Sequence, residues 1–104
     1  MSDFVTVAQI ADVPENGLLG LVIEGEAIVL IERDGRFYAL EDRCSHEEFP
    51  LSSGDVASGE ITCALHGARF CVESGAPRAL PAVMPVKTYE VRVEGDAIQV
   101  KFDA

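Results

Sequence analysis

Hydrophobic and polar residues alternate over short stretches of the N-terminal part of the chain, which is the pattern of half-buried β-strands. Residues 4–7 alternate, and two runs rich in branched residues follow at 18–23 and 27–31. The Asp34-Gly35 step is a strong two-residue hairpin signal, and residues 37–40 then read as the returning strand. This part of the sequence predicts an antiparallel β-structure.

The C-terminal part shows the same alternation more clearly. Residues 88–93 alternate, the step 94–96 supplies a turn, and residues 97–102 return as a second hairpin. Residues 8–13 predict at most one helical turn before Pro14, and no stretch carries a long helical period. Short strands with closely spaced turn signals indicate an all-β domain, either a sandwich or a small barrel.

The middle of the chain, from residue 41 to about 85, has a different composition. It holds four of the five prolines and all of the Cys and His residues. These are Pro50, Pro77, Pro81 and Pro85, with Cys44, Cys63, Cys71, His46 and His66. Strands on both sides of a turn-rich, ligand-rich middle predict a β-scaffold that carries an inserted functional subdomain.

Length and charge narrow the class of protein. A chain of 104 residues fits one small domain. The 18 Asp and Glu residues against 8 Lys and Arg give a net charge of −10, which argues against a nucleic-acid partner. The acidic surface suits docking on a basic protein, although solubility alone would also account for it.

Neither a signal peptide nor an apolar run long enough for a membrane helix is present in the sequence. We therefore expect a cytoplasmic protein with no membrane partner. In a reducing compartment, three cysteines indicate metal ligands or thiols rather than disulfides. A Gly-rich phosphate loop is missing as well, so no nicotinamide or flavin site is expected in this chain.

Two short motifs each combine one cysteine with one histidine: Cys44-Ser45-His46 and Cys63-Ala64-Leu65-His66. Three interpretations of these four side chains are open. They are unrelated structural residues, they form a tetrahedral zinc site, or they hold a two-iron cluster with two thiolates on one iron and two imidazoles on the other.

The surrounding residues favour the third interpretation. Cys-x-His, sixteen residues, Cys-x-x-His-Gly and then Phe70 and Gly75 resemble the cluster-binding motif of the Rieske family. The resemblance implies one Rieske domain over residues 1–104. Its fold would be an antiparallel β-sandwich with an inserted cluster-binding subdomain at about 42–82, made of two metal-ligand loops and a Pro loop.

The same resemblance implies the cofactor and its ligands. One [2Fe-2S] Rieske cluster would be bound by Cys44 and Cys63 on the inner iron and by His46 and His66 on the outer iron, which accepts the electron. Neutral imidazole in place of thiolate raises the reduction potential far above that of an all-cysteine ferredoxin. Phe49, Leu65, Leu80 and Pro81 are expected to shield the cluster from water.

Three departures from the respiratory Rieske proteins indicate a low potential within the family. Those proteins have a disulfide between the two cluster loops, at the positions of Phe49 and Leu65 here. They also have a serine hydroxyl that bonds to a cluster sulfide, where this chain has Ala68. Without that donor, we expect a potential of roughly −150 mV, at the bottom of the Rieske range.

The short chain resembles the Rieske ferredoxins of bacterial aromatic-ring dioxygenase systems, of the biphenyl and toluene type, through residues 70–75 and 80–96. That resemblance implies an electron carrier and not an enzyme. A flavin-dependent, NADH-oxidising ferredoxin reductase would supply the electron, and a terminal ring-hydroxylating oxygenase would receive it from a monomer. The alternatives are a Rieske-type small subunit of another reductase or oxygenase, and a structural zinc module with two Cys and two His.

A few further residues have separate predictions. Cys71 is expected to be a small buried residue in a strand, and not a ligand. Glu47 and Glu48 form either a solvated face or a docking patch for a basic partner. Arg69 and Arg78 are expected to pair with nearby acidic residues.

Overall fold

The computed structural model describes residues 4–23, 25–43, 50–64, 67–79 and 85–102. Within these ranges the chain forms strands and two 3₁₀ turns, with no α-helix. The strands are β1 (Phe4–Gln9), β2 (Leu18–Ile23), β3 (Glu26–Arg33), β4 (Arg36–Glu41), β5 (Asp55–Ala57), β6 (Glu60–Thr62), β7 (Arg69–Cys71), β8 (Pro77–Ala79), β9 (Thr88–Glu94) and β10 (Ala97–Lys101). The 3₁₀ turns are Ile10–Asp12 and Leu51–Ser53.

The two ends of the sequence form one large antiparallel sheet in the order β1-β10-β9-β4-β3-β2. The predicted hairpin at Asp34-Gly35 is confirmed. Both residues have positive φ, 52° and 81°, as a two-residue hairpin turn that follows the right-handed strand twist requires. The predicted C-terminal hairpin is confirmed as well, since β9 pairs with β10 from Glu94 opposite Ala97.

The turn-rich middle of the sequence contains a second antiparallel sheet, in the order β5-β6-β7-β8. Its strands are three residues long, so they show no alternation that a sequence pattern would reveal. Because this sheet lies between β4 and β9 in the chain, the middle segment is inserted into the large sheet, as predicted. The all-β, antiparallel fold class is confirmed.

Strand β3 is buried on both faces over residues 28–31 and contributes side chains to two cores. Ile28 and Leu30 face one core, with Ile98 and Val100 of β10. Val29 faces the opposite core, which continues into the small sheet. Burial on both faces explains why this segment is a continuous apolar run and not an alternating one.

The core between the two sheets contains residues from both sides of the predicted site. Its buried members are Val29, Ile31, Leu40, Leu51, Ile61, Cys63, Ala68, Phe70, Val72 and Val86. Cys63 and Ala68 belong to this core and are almost fully inaccessible. Cys63, which begins the second Cys-His motif, and Ala68, two residues after the motif, are therefore anchored in the core of the protein.

Tyr89 is expected to make the folded protein less stable at alkaline pH. The centroid of its ring lies 5.4 Å from that of Phe102, and its hydroxyl donates a hydrogen bond of 3.3 Å to Glu26. Burial, followed by the negative charge of Glu26, raises the pKa of Tyr89 to about 12. The native state keeps a proton that the unfolded chain loses above about pH 10, so the stabilisation present below pH 10 falls as pH rises towards 12.

We therefore expect the free energy of unfolding of the wild-type protein to fall more steeply between about pH 10 and 12 than that of the Tyr89→Phe variant. Denaturant unfolding of both proteins at pH 9 and pH 11 measures the difference. Parallel pH dependence in the two proteins would show that Tyr89 is not responsible.

Among the described residues, no helix is long and apolar enough to span a bilayer.

Candidate metal centre

Of the four predicted ligands, the structure describes Cys63, whereas Cys44, His46 and His66 lie outside the described residues. Phe49, Leu65, Leu80, Pro81, Glu47 and Glu48 also lie outside them. The structure does describe the residues at the ends of three segments that would surround the cluster. These segments are called the first (43–51), the second (64–67) and the third (76–85).

The first segment, 43–51, begins and ends at two residues that are hydrogen-bonded to each other. The carboxylate of Asp42 accepts hydrogen bonds from the backbone N–H and from the hydroxyl of Ser52, both at 2.7 Å. The backbone N–H of Asp42 donates to Ala27 on β3 at 3.0 Å. The segment that contains Cys44 and His46 is thus closed at its base and attached to the large sheet.

Backbone hydrogen bonds join the residues at the two ends of the second segment. The N–H of Cys63 donates to the carbonyl of Ala68 at 2.7 Å, and the N–H of Gly67 donates to the carbonyl of Cys63 at 3.0 Å. Gly67 has a φ of 75°, a conformation that glycine adopts without steric cost. Cys63 is 1% exposed, so its side chain is packed in the core between the two sheets.

Gly54, which follows the first segment, lies against the backbone where the second segment begins. A β-carbon added to Gly54 would overlap the carbonyl oxygen of Thr62 and lie 2.9 Å from its carbonyl carbon. It would also lie 3.3 Å from the backbone nitrogen of Ala64. Only glycine allows the chain that follows the first segment to lie this close to the backbone on either side of Cys63.

The third segment, 76–85, is closed in the same way. Gly75 donates its N–H to Cys71 at 2.7 Å, and the N–H of Val86 donates to the carbonyl of Gly75 at 3.0 Å. One residue further, the N–H of Glu41 donates to the carbonyl of Lys87 at 2.8 Å. The end of the third segment is therefore attached beside the beginning of the first.

Sequence reasoning did not find the contacts that close these segments. Asp42 and Ser52 are common residue types ten positions apart, and no periodicity links a carboxylate to a hydroxyl across a turn. The composition indicated only that Pro50, Gly54 and Gly75 belong to a turn-rich region. The contact between Gly54 and Thr62 depends on tertiary packing, which a single sequence does not show.

Cys71 differs from its prediction. It lies on β7 as expected, but it is half-buried and is not part of the core that contains Cys63. The pKa of its thiol is lowered to about 7, mainly by the side chain of Ser74, with a smaller contribution from Arg78. A thiol of this kind is partly ionised at neutral pH, so the prediction of a buried thiol is wrong in its exposure.

The predicted pairing of Arg69 is confirmed, because its guanidinium lies 3.7 Å from the carboxylate of Glu60. The pKa of Arg78 is raised, and the main cause is a hydrogen bond with Cys71, with Glu60 a weaker contributor. The largest influence on the pKa of Arg78 is therefore a thiol, and the acidic residue Glu60 adds to it.

The residues that the structure describes fit a cluster held by thiolates. Cys63 is buried in the core, and a deprotonated thiol is the ligand that iron–sulfur clusters use. Ala68, whose carbonyl accepts a hydrogen bond from the Cys63 N–H, is fully buried and contributes only a methyl group. In the described ranges, no three Cys, His, Asp or Glu side chains converge as a metal site, since the other three predicted ligands lie outside them.

Known proteins with similar sequences and structures share this architecture. The chain is 40% identical over 78 residues to the ferredoxin component of biphenyl 2,3-dioxygenase from Rhodococcus jostii (strain RHA1), covering 75% of this chain and 73% of that protein. It is also similar to the structure of the ferredoxin of carbazole 1,9a-dioxygenase from Nocardioides aromaticivorans IC177. The TM-score is 0.89 at 36% identity, over 93% of this chain and 95% of the other.

A third similarity is to a chain in the complex of reduced oxygenase and oxidised ferredoxin in carbazole 1,9a-dioxygenase. Here the TM-score is 0.89 and the identity is 27%, over 94% of this chain and 92% of the other.

A family assignment follows from these similarities and from the sequence itself. The Rieske [2Fe-2S] domain family matches residues 3–90, which include both Cys-His motifs and both sheets up to the start of β9. The predicted cofactor, one Rieske [2Fe-2S] cluster, is confirmed by this match. With a β-fold closed around Cys63 and a match over most of its length, the chain belongs to the Rieske [2Fe-2S] domain family.

Proposed function

We propose that this chain is a low-potential Rieske ferredoxin of an aromatic-ring-hydroxylating dioxygenase system. It carries single electrons from an NADH-dependent flavoprotein reductase to the terminal oxygenase and is not itself a catalyst. The observation that supports this most strongly is similarity, over most of the chain, to proteins that are themselves ferredoxin components of dioxygenase systems. The similarity to a chain from an oxygenase–ferredoxin complex supports an oxygenase as the electron acceptor.

We assign Cys44 and Cys63 to one iron and His46 and His66 to the other. When bound, the cluster takes up and releases one electron at a time. The turn from Cys63 to Ala68 holds one thiolate in the core, and apolar side chains such as Leu51 and Phe70 keep water from that side. Because this thiolate is held in position and shielded from water, little movement of protein or solvent is needed when the charge of its iron changes. A small rearrangement favours rapid electron transfer.

A measurement of the reduction potential of the cluster tests whether this is a low-potential Rieske protein. Ala68 has no hydroxyl to donate to a sulfide, so the reduced, more negative cluster loses one source of stabilisation. We expect a redox titration of the wild-type protein to give a potential of roughly −150 mV. A value well above zero would contradict the argument from Ala68.

We further propose that residues 1–104 form one Rieske domain, in which about 42–82 is the cluster-binding subdomain. The small sheet and the closed bases of the three segments support this division. The net charge of −10 supports a partner with a basic docking face. A monomeric state and a cytoplasmic location stay predictions from the sequence.

Reconstitution of the electron-transfer chain tests the proposed function. NADH, a flavoprotein ferredoxin reductase and a terminal oxygenase of the biphenyl type are combined with and without this protein, and formation of the cis-dihydrodiol product is measured. We expect product only when the protein is present, and little product when the Cys63→Ser variant replaces it. Reduction by the reductase without onward transfer to any ring-hydroxylating oxygenase would instead favour a role as a small subunit of another redox enzyme.

A further inference from the structure

We propose that Asp42 is a positioning residue of the cluster site: by accepting two hydrogen bonds from Ser52, it fixes the base of the segment that contains Cys44 and His46. The proposal builds on the ligand assignment made under the proposed function. Asp42 itself is not a ligand, and it acts through the segment that it closes.

The geometry of the pair is that of a two-point clamp. The two carboxylate oxygens of Asp42 are used separately, one by the backbone N–H of Ser52 and the other by its hydroxyl, each at 2.7 Å. Hydrogen bonds to an ionised acceptor are stronger than those between neutral groups, and two of them also fix the relative orientation of the residues that they join. Asp42 and Ser52 are both half-buried, so water competes with these bonds only in part.

Strand β2 closes over the clamp at Gly20. A β-carbon on Gly20 would lie 2.7 Å from the Ser52 hydroxyl oxygen and 3.2 Å from Asp42 Oδ2. The backbone of β2 is thus in direct contact with both members of the clamp. This contact restricts the rotamers of both side chains and makes their hydrogen bonds part of the packed framework.

The clamp is attached at both ends to buried structure. The N–H of Asp42 donates to Ala27 on β3, and Leu51, next to Ser52, is fully buried in the core with Cys63. Cys44 is only two residues beyond Asp42 in the chain. A change in the separation of Asp42 and Ser52 would therefore move the first ligand segment relative to Cys63.

The test compares the purified holoproteins of wild type and of the Asp42→Ala, Asp42→Asn and Ser52→Ala variants. Asp55→Ala is the matched control, because it removes the same charge from an exposed residue of β5 for which the structure gives no side-chain hydrogen bond. Two readouts are used: the rate at which a chelator removes iron under anaerobic conditions, and the EPR spectrum of the dithionite-reduced protein.

We expect Asp42→Ala to lose iron roughly 10–100-fold faster than wild type, as is usual when the partner that orients a metal ligand is removed. Its EPR lines should broaden, because the first segment then holds the cluster in a range of positions. Asp42→Asn should lose iron more slowly than Asp42→Ala but faster than wild type, since its amide can accept from the Ser52 N–H and donate to the Ser52 hydroxyl but lacks the charge that strengthens both bonds. Ser52→Ala, which loses one of the two bonds, should be intermediate, and Asp55→Ala should be unchanged.

The proposal would be overturned if Asp42→Ala lost iron no faster than Asp55→Ala and also had the EPR spectrum of the wild-type protein. An equal effect of Asp42→Asn and Asp42→Ala would overturn it as well, because charge and not hydrogen bonding would then be responsible. If Asp42→Ala does not fold, Ser52→Ala decides: accelerated iron loss supports the clamp, and a wild-type rate overturns it. A wild-type protein that contains zinc would contradict the proposed function, and the rates of zinc loss from the same variants would still test Asp42.

Discussion

Replacing Cys63 by serine is expected to give a colourless protein with on the order of a tenth or less of the wild-type iron, since even changes beyond the ligands lower metal affinity 10–100-fold. Cys63 is the predicted ligand that the structure describes, and it is 1% exposed on a turn closed by two backbone hydrogen bonds. Serine has nearly the same shape but no thiolate, which iron–sulfur clusters require. Iron and acid-labile sulfide per chain measure the effect.

Cys71→Ser is the matched control for this experiment. Cys71 is half-buried on β7, interacts with Ser74 and Arg78, and lies outside the core that contains Cys63. We expect this variant to keep a full complement of iron and sulfide. Wild-type iron in Cys63→Ser, or loss of the cluster in Cys71→Ser, would show that the ligand assignment is wrong.

The second large effect is expected from Gly54→Ala, which should destabilise the folded protein by about 3 kcal/mol, the upper end of the usual cost of overpacking. The added methyl group would overlap the carbonyl oxygen of Thr62, so the backbone next to Cys63 has to move. For a domain of this size, such a change lowers the thermal midpoint by roughly 10 °C or more. We also expect a lower iron content, because the displaced backbone at Thr62 is directly bonded to that of Cys63.

Gly25→Ala separates this contact from the general cost of replacing a glycine. Gly25 has a φ of 83°, and a β-carbon there would meet no atom within 4 Å. The Gly25→Ala variant should therefore be destabilised only by the cost of placing alanine at a positive φ, about 1–2 kcal/mol, and should keep its iron. Equal thermal midpoints and iron contents for Gly54→Ala and Gly25→Ala would contradict the role given to the close contact between Gly54 and the backbone of Thr62 beside Cys63.

The sequence predicts the large sheet well because its strands are long and their turns have a chemical signature. Asp34-Gly35 accepts the positive φ values that a tight hairpin needs, and β9 and β10 alternate over five residues or more. The apolar run in β3 predicts a strand, and this prediction is confirmed. Its burial on both faces depends on the small sheet, which covers one of them and leaves no signal in the strand itself.

The part of the site that could be predicted is the part formed by residues close together in the sequence. The spacing of the Cys and His residues points to a cluster, because ligand type and short loops are properties of the sequence. The small sheet could not be predicted, since each of its strands is three residues long and is stabilised by its neighbours. The Asp42–Ser52 pair and the contact of Gly54 with Thr62 join residues by packing alone.

Chemical analysis of the wild-type protein, combined with a reductive titration, tests the central claim most directly. We predict a brown protein with two iron atoms and two acid-labile sulfides per chain, as a [2Fe-2S] cluster requires, and bleaching of its visible absorption by one electron per chain. A colourless protein with zinc and no acid-labile sulfide, which takes up no electron, would contradict the account.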